Sequence, residues 1–247
     1  MDSLLILLIY SIAITVAALL GGILPLIRNW TSLQLHLFTA FSAGVFVGAA
    51  FLHMIPDAME MAGANSALLF VLIGFIFILF AERVIMHSHA RECVEGCEHD
   101  HMLTGFTAFF GLLIHSLVAG IGLGIAVLVE PTLGVIVFAA IMAHESIELF
   151  SLSTVFKLAR FENKKIFAYL TPLSLTKPAG AWIAVLAFEI IAKIELGIPL
   201  ALAAGTFLYV GICDLLPEAF HEEKKRYSGF ILVLIGIAIM YALGLFI

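Results

Sequence analysis

Charge is scarce in this sequence. Asp, Glu, Lys and Arg make up 12% of its 247 residues, about half of the roughly 25% usual in a soluble domain. That deficit excludes a large water-soluble core, and a hydrophobic content of 63% points the same way. Cysteine is scarce as well: Cys93, Cys97 and Cys213 are too few for a disulfide framework. The opening MDSLLILLIY lacks the basic n-region of a cleaved signal peptide. The apolar run to about Ile27 therefore reads as a first spanning helix.

What the sequence has is apolar blocks of the length that crosses a hydrocarbon core, about 20 residues each. They predict an all-α integral membrane protein with eight transmembrane helices, at about 3–27, 36–58, 66–86, 104–128, 133–156, 166–192, 197–219 and 228–247. Of the 12 basic residues, ten fall in the odd-numbered connections: Arg28; Arg83 and Arg91; Lys157, Arg160, Lys164 and Lys165; Lys224, Lys225 and Arg226. The positive-inside rule then puts those connections in the cytosol and both termini outside.

Residues 44–60, GVFVGAAFLHMIPDAME, align with residues 205–221, GTFLYVGICDLLPEAFH. Gly, Phe, Pro and Ala coincide, as does an acid after the proline (Asp57, Glu218). The two helices run in opposite directions in this topology, as in the inverted repeats of secondary transporters. The expected arrangement is 3+2+3 within one transporter domain, 1–247. Helices 1–3 (residues 1–86) and 6–8 (166–247) are the repeats. A cytosolic connection at 87–103 leads into helices 4 and 5 (104–156).

Ionisable groups are costly near the bilayer centre, so those found there call for a function. His115 and Ser116 fall on helix 4; His144, Glu145 and Glu148 fall on helix 5 in HESIELFSL. At about 1.5 Å per residue, both histidines lie roughly 16 Å deep, half the hydrocarbon thickness. His144, Glu145 and Glu148 share one helix face by their three- and four-residue spacing. Imidazole and carboxylate suit zinc and neighbouring first-row metals, and the absence of thiolate argues against a closed structural site. A hydrogen-bonded cluster tying two helices together is the structural alternative. The stripe Ser116, Gly120 and Gly124 reads as close helix packing at its two glycines, with Ser116 a weak candidate ligand.

HSLVAG on helix 4, HESIE on helix 5 and the Leu-Pro-acid ends of helices 2 and 7 resemble the ZIP (Zrt/Irt-like protein) metal transporters over nearly the whole chain. The resemblance implies a midplane metal site on helices 4 and 5 and import toward the cytosol. His115, His144 and Glu148 would form the primary site, with Ser116 and Glu145 in an adjoining second one. Two positions depart from the family pattern: Ala119 stands where a glutamate is usual, and Lys177 where helix 6 often offers an acid. Lys177 is expected in the plane of the histidines, neutralising Glu145 or Glu148 in place of a second metal.

His53 and Asp57 near the outer end of helix 2, and Asp214, Glu218 and His221 near the inner end of helix 7, are the candidate pathway residues. The third connection, HSHARECVEGCEHDH, carries His87, His89, Cys93, Cys97, His99 and His101 and reads as a metal capture or sensing loop. HESIE also begins like the HExxH motif of zinc proteases, but its fifth residue is Glu148. Transport, not catalysis, is expected, with a metal sensor or buffer as the other alternative. The substrate is Zn²⁺, or Fe²⁺, Mn²⁺ or Cd²⁺, with no prosthetic group. The partners are the metal ion and the lipid bilayer of the plasma membrane or an organelle, with a homodimer allowed and no nucleic acid.

Overall fold

The computed structural model describes residues 3–80, 97–129, 131–187, 197–220 and 226–245. Among the described residues every regular element is a helix. In chain order these are α1 (Ser3–Ile23), α2 (Ser32–Ala62), α3 (Ala64–Phe80), α4 (Cys97–Val129), α5 (Pro131–Leu158), α6 (Asn163–Leu186), α7 (Gly197–Phe220) and α8 (Arg226–Gly244). Among the described residues, five helical stretches are long and apolar enough to cross a membrane: Ser3–Leu26, Ser32–Ala62, Ala108–Val129, Gly197–Phe220 and Tyr227–Gly244. Helix α3 is apolar but shorter.

Two helices, α2 and α4, start at least a full turn earlier than the apolar pattern predicts. Helix α2 begins at Ser32 because Thr31 closes a capping box: its hydroxyl accepts from the Gln34 N–H, and its own N–H donates to the Gln34 side chain. Helix α4 begins at Cys97, so the last part of the expected 87–103 connection is helical. Of the expected loop ligands, Cys97, His99 and His101 thus lie on the first turns of α4. His87, His89 and Cys93 lie outside the described residues.

The helices pair closely: α1 with α5, α4 with α6, α2 with α8, and α3 with α7. Glycine makes each approach possible. A Cβ on Gly21 would lie 1.9 Å from the Ser146 carbonyl, and one on Gly180 would lie 2.5 Å from that of Leu117. Gly44 abuts the Val233 carbonyl and Gly236 that of Phe41; Gly205 abuts Val71 and Gly74 abuts Leu202. Gly120 and Gly124 press on the carbonyls of Lys177 and Ala181, the packing role predicted for that stripe.

Both α2 and α7 widen to π-helix, at Ala50–Met54 and Tyr209–Leu215. Each widening comes just ahead of a proline, Pro56 or Pro217. A proline ring clashes with the carbonyl four residues back and lacks the N–H to bond it, so a wider turn relieves both faults.

A candidate metal site between α4, α5 and α6

Helix α5 presents His144 and Glu148 one turn apart, with His144 Nε2 3.2 Å from Glu148 Oε1. Helix α4 brings His115 from the opposite side, its Nε2 also 3.2 Å from Glu148 Oε1. The ligand atoms of these three residues all lie within 4.8 Å of one another, and no other His, Cys, Asp and Glu group among the described residues does so. Tetrahedral ligands at zinc bond lengths of about 2.0–2.1 Å stand about 3.3 Å apart, close to the two distances found.

The short contact from His115 to Glu148 is not an aligned hydrogen bond. His115 Nδ1 and Nε2 and Glu148 Oε1 are fully buried without a hydrogen-bond partner. Buried polar atoms are normally satisfied. Atoms that converge on a point while bonding poorly to one another suit a shared cation.

The second oxygen of Glu148 faces elsewhere. Lys177 Nζ, on α6, donates to Glu148 Oε2 at 2.8 Å and to Glu145 Oε2 as well. Lys177, Glu145 and Glu148 are each only 1% exposed. Glu145 is thereby engaged by the ammonium and does not belong to the converging triad. Ser116 is buried beside His115 on α4. The His115 ring packs against Phe207 at 4.3 Å between centroids, and Phe207 stacks on Phe46 at 4.6 Å.

The remaining candidates lie apart from this cluster. His53 Nε2 donates to the Met240 carbonyl at 2.9 Å, which ties the ring to α8. Asp57 is exposed near the end of α2. Asp214 and Glu218 are buried on α7, while His221 lies outside the described residues. Glu218 Oε1 meets His36 Nε2 of α2 at 3.1 Å. His36 was not singled out from the sequence, although a histidine near the start of an apolar helix, facing an acid in the aligned repeat, is the available signal.

A multi-pass helical membrane protein that buries a two-histidine, one-carboxylate cluster has the build of a metal-ion transporter. The family model described as ZIP zinc transporter matches residues 4–101 and 87–244. The chain belongs to that family, whose members are transporters, not enzymes. It is 25% identical to zinc transporter ZIP9-A of Xenopus laevis, across 84% of this chain and 83% of that one. It is 23% identical to zinc transporter ZIP1 of Danio rerio, across 95% and 98%. With zinc transporter 3 of Arabidopsis thaliana the identity is 25%, across 92% and 76%.

Proposed function

We propose that this protein carries a divalent transition metal, zinc foremost, across the membrane toward the cytosol, held one ion at a time by His115, His144 and Glu148. The observation that carries this reading is the convergence of three ligand atoms from two helices, those of His115 and Glu148 buried and that of His144 half-buried. Two imidazoles and one carboxylate leave coordination positions open, as a site that must release its ion requires. Lys177 holds Glu145 and half of Glu148 where a second metal would otherwise be bound.

The proposed topology is eight spans in a 3+2+3 order with both termini outside. The first three-helix repeat lies in 1–86, helices 4 and 5 in 104–156 and the second repeat in 166–247. Its support is the way contacts recur. In the register that aligns residues 44–60 with 205–221, the α2–α8 approach (Gly44 on Val233, Gly236 on Phe41) recurs as α7–α3 (Gly205 on Val71, Gly74 on Leu202). Aligning Gly21 with Gly180, and His115 with His144, makes Gly21 on Ser146 the counterpart of Gly180 on Leu117. A two-fold axis also requires equivalent residues to meet each other. Phe46 stacks on Phe207, the Thr15 hydroxyl reaches the Ser174 carbonyl at 3.5 Å, and the His115 and His144 rings lie 6.0 Å apart.

The pathway runs past Asp57 on the outer side and Asp214 and Glu218 on the inner side, with His36 joined to Glu218. Zinc flux into proteoliposomes is the test. Wild type carries zinc and His144→Ala does not; flux that survives the substitution overturns the site. Wild type that binds zinc without carrying it would favour a sensor or buffer instead. Lys177→Glu is expected to raise the bound metal from one ion to two, and an unchanged stoichiometry removes the second-metal role.

A further inference from the structure

We infer that Lys177 is the counter-charge that lets the empty site return across the membrane, so that this carrier completes its cycle without a counter-transported cation. The inference rests on the proposed single-metal site and extends it to the other half of the cycle.

The first ground is that Lys177 travels with the ligands. The carbonyl of Lys177 itself is the surface against which Gly120 of α4 packs. Thr15 links α1 to α6 at Ser174, and the Ser146 hydroxyl donates to the Ala17 carbonyl, linking α5 to α1. The helices carrying His115, His144, Glu148 and Lys177 are therefore joined into one body. The ammonium is a tethered cation within that body and cannot dissociate on either side as a metal would.

The second ground is the charge count. With neutral imidazoles, Glu145, Glu148 and Lys177 leave the empty site with one negative charge. One divalent ion changes that to one positive charge, so the loaded and empty sites differ in sign and not in size. Without the lysine the loaded site would be neutral and the empty one doubly negative. The cost of burying charge in a low-dielectric medium rises with its square, so the doubly negative site would be roughly four times as costly to move. Removing Lys177 thus spares the loaded crossing and blocks the return.

The third ground is that the charges occur as a set. In the repeat register the counterparts of Glu145, Glu148 and Lys177 are Ser116, Ala119 and Ala18. The half without the acids also lacks the lysine. Its Ala18 is fully buried, so a charge at that position would have no carboxylate to meet.

The test uses the full chain in proteoliposomes with radioactive zinc and two readouts. Net uptake is measured with a chelator inside; exchange is measured with excess unlabelled zinc inside. Wild type and Lys177→Arg should support both. Lys177→Met should lose net uptake at least tenfold more than it loses exchange, since the loss of its hydrogen bond to Glu148 weakens both readouts alike. The double variant Glu145→Gln/Lys177→Met, which returns the empty site to one negative charge, should recover net uptake. Equal loss of both readouts in Lys177→Met, undiminished net uptake in it, or no recovery in the double variant would overturn the inference. Should Lys177→Met aggregate, the double variant decides: net uptake near wild type supports the counter-charge, and exchange alone refutes it. Wild type that shows neither flux overturns the carrier reading, and the inference with it.

Discussion

Lys177 meets one oxygen of Glu148 while two histidines meet the other: the ammonium stands 2.8 Å from Oε2, and the His115 and His144 Nε2 atoms each stand 3.2 Å from Oε1. A carboxylate held by a charge-assisted hydrogen bond on one oxygen has its other oxygen oriented for a ligand role. Lys177 therefore acts on the site both as a charge and as the group that aims Glu148.

That double role predicts different losses at the two glutamates. Glu148→Gln removes a ligand charge and should lower zinc affinity by at least 100-fold in a binding titration. Glu145→Gln removes only a lysine partner and should cost less than tenfold. Equal losses would show that Glu145 is itself a ligand.

Helix approach at the site predicts a strong steric effect. A Cβ on Gly120 would stand 2.1 Å from the Lys177 carbonyl, whereas one on Gly122 meets nothing within 4 Å. Gly120→Val should destabilise the protein by about 1–3 kcal/mol or more, seen as a lower Tm in detergent. Gly122→Ala should leave the Tm unchanged, and similar shifts in the two variants would disprove the close approach.

His36 and Glu218, both buried and 3.1 Å apart, should be energetically coupled. Removing one partner of a buried pair leaves the other's polar group poorly compensated. His36→Leu and Glu218→Gln should each lower the Tm, and the double variant should fall less than the sum. A coupling of about 0.5–3 kcal/mol is expected for contacting residues; strict additivity would dissolve the pair.

Charge movement gives a prediction about driving force. If the loaded site moves inward with one positive charge and the empty site outward with one negative charge, an inside-negative potential helps both steps. The work is about 2.3 kcal/mol per elementary charge per 100 mV. A potassium gradient with valinomycin should speed net zinc uptake several-fold; uptake indifferent to potential would exclude this charge assignment.

Much of the architecture was legible in the sequence because helices in a bilayer are governed by local rules. Apolar length marked helices long enough to cross a membrane. Within α5 the one-turn spacing of His144 and Glu148 already put both on one face. The glycines at 120 and 124 announced a close helix approach, and it is present. Helix ends were less legible, since Thr31 extends α2 through a capping box that lies outside the apolar pattern.

By itself, the sequence determined the kind of protein and the set of polar residues from which a site could be drawn. Only the tertiary structure decided how that set divides. It brought His115 to Glu148 and assigned Glu145 to Lys177. It tied His53 to a carbonyl of α8 and brought the unanticipated His36 to Glu218. The reason is one of range. Spacing along one helix is set by its pitch, whereas which faces meet is set by packing between helices far apart in the chain.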